Sequence, residues 1–171
     1  MDDTTVSITR VRLAARICLV LFAACHRPVQ PPQAPIQVVF VCEHGAAKSV
    51  VAAAYFNKLA GERGLDARAI ARGADPQDRP SVSAVQGLRA DGFAPGGELP
   101  RSISVDELRR SARIVAFDCA QPAMKVLRGM GACWDDVPAT GEDYARARDV
   151  IRSRVESTVA ELIAHRDAAA P

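Results

Sequence analysis

Apolar and polar positions divide the chain into short segments of alternating type. Residues 37–41, Gln-Val-Val-Phe-Val, are β-branched or aromatic after the first and close on Cys42, which predicts a buried strand. After a loop of small residues, positions 50–59 are apolar-rich with helical spacing, and Gly61 and Gly64 punctuate the turn that follows. Residues 66–73 predict a second, weakly patterned strand, and 75–80 a loop. Ser81 is placed to cap a helix running to Asp91, with Val82, Val85 and Leu88 on one face. A loop rich in Gly and Pro occupies 92–100. Ser104-Val-Asp-Glu107 has capping-box spacing and opens a helix to about Ala112. Residues 114–117 predict a third strand, 122–128 a short helix and 132–134 a short fourth strand. From Glu142 to near His165, residues Ala147, Val150, Ile151, Val155, Val159, Leu162 and Ile163 form a one-face helical stripe. Strands alternating with helices predict an α/β fold of three layers, a four-stranded parallel sheet with helices on both faces. In such sheets ligands bind beyond the carboxyl ends of the strands. Cys42, Cys119 and the stretch after Trp134 all follow predicted strands and are candidates to converge there.

The first 35 residues have a different pattern. Arg10, Arg12 and Arg16 precede an unbroken apolar run of eight, residues 17–24. That is short of the ~20 residues a membrane-spanning helix needs, and suits the hydrophobic region of a secretory signal. Ala23-Ala24-Cys25 resembles a bacterial lipoprotein processing box, with Phe22 where that box prefers Leu. The resemblance implies lipid on Cys25 and an envelope protein anchored to the membrane, facing outside the cytoplasm. If the start were wrongly assigned, the protein would be cytoplasmic. Residues 26–35 hold four prolines and predict a semi-rigid spacer. The division is a leader over 1–25, a linker over 26–35 and an α/β domain over 36–171.

Composition narrows the chemistry. The 171 residues carry a net charge of +2, too near neutral to argue for nucleic acid. Apolar content of 49% supports a real core, and an aromatic share of 5% means that aliphatic residues must build most of it. Cysteines at 18, 25, 42, 119 and 133 form no CxxC, and three scattered histidines complete no ligand set. No metal or cofactor is therefore expected.

The chemistry concentrates in Cys42-Glu43-His44-Gly45-Ala46-Ala47-Lys48-Ser49. A loop of small residues between a strand and a helix start can turn its N–H groups inward around an anion. A cysteine at the strand's end would face that positive potential, which favours the thiolate. Ser49 would give its hydroxyl to the sulfur or cap the helix. The non-catalytic reading of the cysteine is a small core residue.

This stretch resembles the Cys-x5-Arg-Ser loop of the low-molecular-weight protein tyrosine phosphatases and of the thioredoxin-coupled arsenate reductases that share their fold. His44 also resembles the Cys-x-His-Asn-x-Gly-Arg-Ser version of the latter. Gly45 stands where the family has Asn, and Lys48 where it has Arg. The resemblance implies Cys42 as nucleophile, with Lys48 and the N–H groups of residues 43–49 holding phosphate, arsenate or a phosphorylated substrate. His44 is expected to face outward. The family's acid lies in an Asp-Pro loop late in the chain. Here Val137 directly precedes Pro138, so Asp136 or Asp135 would have to reach in. In the related reductases a second cysteine attacks the first, and a third takes over. Cys119 is the candidate second thiol and would then form a disulfide with Cys42, with Cys133 relevant only if the fold brings it close. A thiol reductant would be the partner. Otherwise Cys119 is a structural core residue. Trp134 and Tyr144 either pack or line the mouth. The competing reading is a non-catalytic oxyanion-binding or lipid-tethered interaction domain.

Overall fold

The computed structural model describes residues 34–95 and 97–169. Cys18, Cys25, the leader and nearly all of the proline-rich spacer lie outside the described residues. The chain divides into two units, Met1–Ala34 and Pro35–Pro171, and only the second is described here.

Four strands, β1 (Ile36–Cys42), β2 (Ala67–Gly73), β3 (Arg113–Phe117) and β4 (Ala132–Trp134), pair in the order β2-β1-β3-β4, all parallel. β1 is central and reads as a continuous apolar run because both its faces are covered. Register puts Cys42 level with Gly73 of β2, and Val41 level with Ala116 of β3. The connecting helices are α1 (Lys48–Glu62), α2 (Val82–Ala90), α3 (Val105–Arg110) and α4 (Tyr144–Ala169), with a 3₁₀ helix over Pro122–Leu127. The strand and helix order is the one the periodicity predicts.

Alternation along β1 sorts the core into two halves. Val38, Phe40 and Cys42 point to the side covered by α1, α2 and α4, where Val51, Phe56, Leu88, Ile151 and Val155 are fully buried. Val39 and Val41 point to the other side, with Ala116, Cys119, Met124 and Leu127. Each large aliphatic or aromatic side chain so buried contributes about 1.5–3 kcal/mol. The few aromatics are concentrated: Trp134 lies 5.7 Å from Phe40 and 5.5 Å from Phe117, ring centre to ring centre.

Several helix boundaries moved, the end of α4 among them, at Ala169 rather than near His165. α4 starts at Tyr144 because Asp143 accepts the Arg146 N–H through its side chain at 2.9 Å, a cap that residue 142 does not supply. α3 stops at Arg110, where Ser111 turns extended, although the Ser104–Glu107 capping box forms as read. The predicted face of α2 is corrected. Ala84 and Leu88 are its buried positions, whereas Val82 is 69% exposed. Spacing of i, i+3, i+6 drifts round the helix, and the i, i+4 pair wins the core side even with an alanine in it. Ser81 is the N-cap residue, but its hydroxyl meets Ser83 rather than the helix backbone.

Candidate active site

Cys42 ends β1 and is 6% exposed. Residues 43–47 then turn over the end of the sheet before α1 begins. Two glycines make that turn possible. Gly45 has φ +62, and a Cβ on it would stand 2.6 Å from the Gly73 nitrogen. A Cβ on Gly73 would stand 2.9 Å from the Gly45 nitrogen. Two backbones are pressed together, and neither position admits a side chain.

The loop's carbonyls are then fixed on one side. Those of Cys42, Glu43, His44 and Ala46 accept from the N–H groups of Ala74, Asp75, Gln77 and Ser81 at 3.2, 2.8, 3.3 and 2.9 Å. In a trans peptide the N–H points opposite to the carbonyl, so with these four held the N–H groups of residues 43, 44, 45 and 47 turn the other way. Among the described residues, the N–H groups of 43–47 donate to no protein backbone acceptor. The first turn of α1 holds no acidic residue, and Ala47 caps it with no side chain. An open helix N-terminus behind a ring of free N–H groups is an anion cradle.

The sulfur lies at this cradle. Cys42 Sγ is 3.1 Å from the hydroxyl of the fully buried Ser49, which donates to a thiolate there. Glu43 and His44 are at the rim. His44 is 53% exposed and sets Nδ1 3.1 Å from the Asp75 carbonyl, on the outer side, as read from the sequence.

Lys48 is placed differently from the expectation that its ammonium grips the oxyanion. Its three N–H groups donate to Asp118 Oδ1 and Oδ2 at 2.9 and 2.7 Å and to the Val137 carbonyl at 2.6 Å. An ammonium has three donors, so all are taken. The loop's backbone is left as the source of donors for the anion.

Asp118 was not singled out from the sequence. It follows β3 directly and holds φ +54, rare for a residue with a side chain. Its neighbour Cys119 is fixed on both sides, by Asp135 accepting its N–H at 2.6 Å and by Arg128 donating to its carbonyl at 3.2 Å. The available signal was an acidic residue at a strand's carboxyl end.

The two acid candidates separate. Asp135 turns to the Cys119 N–H. Asp136 is 69% exposed and both its oxygens accept from Arg154 at 2.6 Å. Those hydrogen bonds hold its carboxyl below the usual range. Val137 is buried.

The expected Cys42–Cys119 pairing is also corrected. Cys119 forms a disulfide with Cys133, with Cα atoms 6.0 Å apart, and Cys42 is free. Cys42 belongs to the α1/α4 half of the core together with Phe117, and Asp118, at φ +54, takes the chain out of the strand's alternation so that Cys119 enters the other half. β4 pairs with β3 and brings Cys133 close across fourteen residues.

Trp134 and Tyr144 pack. Trp134 is 7% exposed between two phenylalanines, and the Arg154 guanidinium lies over its ring. Tyr144 lies against Gly87 and donates to Asp91 at 2.6 Å. Tyr55 donates to the same oxygen at 2.9 Å, and Arg148 to the other at 3.1 Å. Burial alone would raise the Asp91 carboxyl, but these donors outweigh it and hold it low. The network joins α1, α4 and the end of α2, the supports of the loop.

The architecture is shared with solved structures. YfkJ from Bacillus subtilis is 21% identical, with a TM-score of 0.68 over 79% of this chain and 99% of that one. The YwlE arginine phosphatase from Geobacillus stearothermophilus is 17% identical, with a TM-score of 0.62 over 80% and 99%. A thioredoxin-dependent arsenate reductase from Corynebacterium glutamicum is 19% identical, with a TM-score of 0.60 over 89% and 73%. At these identities the likeness is one of fold. No curated protein matches the sequence. The family described as low molecular weight phosphotyrosine protein phosphatase matches residues 37–133, more than half of the chain, and the chain belongs to that family.

Proposed function

We propose that the protein is a cysteine-dependent phosphatase. The observation that carries this is the Cys42 sulfur, 3.1 Å from the Ser49 hydroxyl, at a loop where the carbonyls of Cys42, Glu43, His44 and Ala46 are held outward. The thiolate attacks phosphorus and forms a cysteinyl-phosphate. The N–H groups of residues 43–47 hold the non-bridging oxygens, where fixed dipoles stabilise developing charge. Water then cleaves the S–P bond, and Ser49 stabilises the departing thiolate. Turnover of 4-nitrophenyl phosphate by the 36–171 unit, abolished in Cys42→Ser, tests the reading. Phosphate binding without turnover would select a non-catalytic oxyanion-binding domain instead.

A second reading, arsenate reduction, draws on the Cys119–Cys133 pair beyond the strand next to β1. It needs a dithiol reductant of the thioredoxin type. Cys119 would also have to leave its own half of the core to reach Cys42, so the phosphatase reading comes first. Arsenite release from arsenate with a dithiol present, lost in Cys119→Ser, would reverse that order.

Anchoring through lipid on Cys25 remains part of the proposal. A disulfide within the domain supports an oxidising compartment. Mass spectrometry of the mature protein tests it: lipid on Cys25 is expected, and an intact Met1 on a soluble protein would overturn it.

A further inference from the structure

A phosphatase that acts on an alcohol or phenol ester needs a proton for the leaving oxygen. Among the described residues, the carboxyl groups around this cradle do not supply one. The residue directly before Pro138 is Val137, whose side chain is 3% exposed in the core and whose carbonyl is taken by Lys48. Asp136 is turned out to Arg154, and Asp135 accepts the Cys119 N–H. Both oxygens of Asp118 accept from Lys48, and the Glu43 carboxylate sits at the rim of the loop with His44 Nε2 3.9 Å away. His44 and Asp75 meet on the carbonyl side of the loop, away from the N–H groups. Among the described residues, the walls offer no aromatic grip either. Trp134 and Tyr55 are 7% exposed inside the core, and the Tyr144 hydroxyl is spent on Asp91.

We infer that the site is built for phosphoryl groups carried on weakly basic leaving groups, of the class of carboxylic–phosphoric anhydrides, rather than for phosphotyrosine-like esters. The inference rests on the phosphatase reading and specifies its substrate class. In the first step the Cys42 thiolate forms an S–P bond as the P–O bond to the acyl oxygen breaks. The bonding pair leaves with a carboxylate, which is stable at neutral pH without a proton. In the second step water attacks phosphorus and the S–P bond breaks. The thiolate is regenerated, and both protons of the water leave with the phosphate product or to solvent. No oxidant, reductant or metal enters the balance.

The test is the dependence of rate on the leaving group, measured on the wild-type domain with acetyl phosphate, 4-nitrophenyl phosphate and phenyl phosphate. Phenol has a pKa of ~10 like the tyrosine side chain, and nitrophenol is far more acidic. A general acid is worth roughly 10²–10⁴-fold, and its absence falls on the more basic leaving group. The expected result is a kcat/KM for 4-nitrophenyl phosphate at least about 100-fold above that for phenyl phosphate. Acetyl phosphate should turn over at least as well as the nitrophenyl ester, and all three activities should vanish in Cys42→Ser. A smaller ratio with Cys42-dependent turnover of both esters means that an acid reaches the leaving oxygen. That overturns the inference and leaves the phosphatase reading standing. No Cys42-dependent turnover of any of the three overturns the phosphatase reading, and the inference with it.

Discussion

Replacing Lys48 by methionine separates a clamp from a catalytic cation. The Lys48 side chain is 11% exposed and its ammonium makes three hydrogen bonds, two to Asp118 and one to the Val137 carbonyl. Methionine keeps the length of the stem and removes the donors. The Val137 carbonyl, in a residue 3% exposed, is left without its donor, at a cost of about 1–3 kcal/mol. Breaking a fully buried ion pair costs about 3–5 kcal/mol. Asp118 is 33% exposed, however, so water recovers much of that loss. The sum is about 2–4 kcal/mol, read as a lower urea midpoint at unchanged slope and a Tm lower by roughly 3 °C for each kcal/mol. Phosphate affinity measured by calorimetry should change less than about tenfold, since the loop's own N–H groups hold the anion. Lys48→Arg keeps a cation for Asp118 and should retain most of the stability. The reasoning fails if Lys48→Met is as stable as wild type and loses phosphate affinity by more than tenfold. The ammonium would then be facing the anion rather than Asp118.

Gly45→Ala puts a methyl 2.6 Å from the Gly73 nitrogen at a positive φ, and should cost about 2 kcal/mol or more together with activity. Urea unfolding within about 0.5 kcal/mol of wild type would contradict the two-glycine contact. Reducing the Cys119–Cys133 disulfide, which closes a loop across fourteen residues, should lower stability by about 3 kcal/mol. An unchanged melting curve in a dithiol reductant would rule that out. In the native protein Asp91 and Glu107 sit below their ordinary values: burial works against this, and the donors from Tyr144, Tyr55 and Arg148, and from Arg72 and Ser104, outweigh it. Their stabilisation is therefore full above the unfolded values near ~4 and is lost as pH falls through the lower native ones. Tyr55 is pushed up to about 12 by burial and by Asp91, so its share is lost as pH rises from ~10 through that value. Melting temperature against pH should fall at both ends, and Asp91→Asn should weaken both slopes. A wild-type profile in that variant would count against the network.

What was legible in the sequence was contiguous. The strand, cysteine, small-residue loop, Lys-Ser and helix all lie within 37–59, so local pattern alone placed the thiol at the carboxyl end of a strand. The capping box at Ser104 and the stripe of α4 were equally local. What was not legible depends on pairing. That Gly73 must be bare to admit Gly45 follows from the β1–β2 register, which no pattern in weakly alternating residues 66–73 specifies. The role of Lys48 turns on Asp118, seventy positions away, in a backbone conformation that sequence does not announce. Cys119 looked available to Cys42 because both follow strands, yet the left-handed Asp118 after β3 carries Cys119 into the other half of the core. Arg72, 8% exposed in β2, is tolerated because Glu107 accepts from it at 2.6 and 2.9 Å, a partner set by tertiary folding. The acidic pair Asp135-Asp136 read as a source of catalytic acid, and each side chain is instead used to fix its surroundings, one at Cys119 and one at Arg154.

The central claim is that Cys42 is the nucleophile in a backbone cradle. Single-turnover reaction with 4-nitrophenyl phosphate, quenched in acid and analysed by peptide mass spectrometry, tests it most directly. The account predicts a burst of nitrophenol matched by one phosphoryl group on the peptide containing Cys42, with neither in Cys42→Ala. Turnover by Cys42→Ala at the wild-type rate, or a phosphoryl group on any other residue of the wild type, would contradict it.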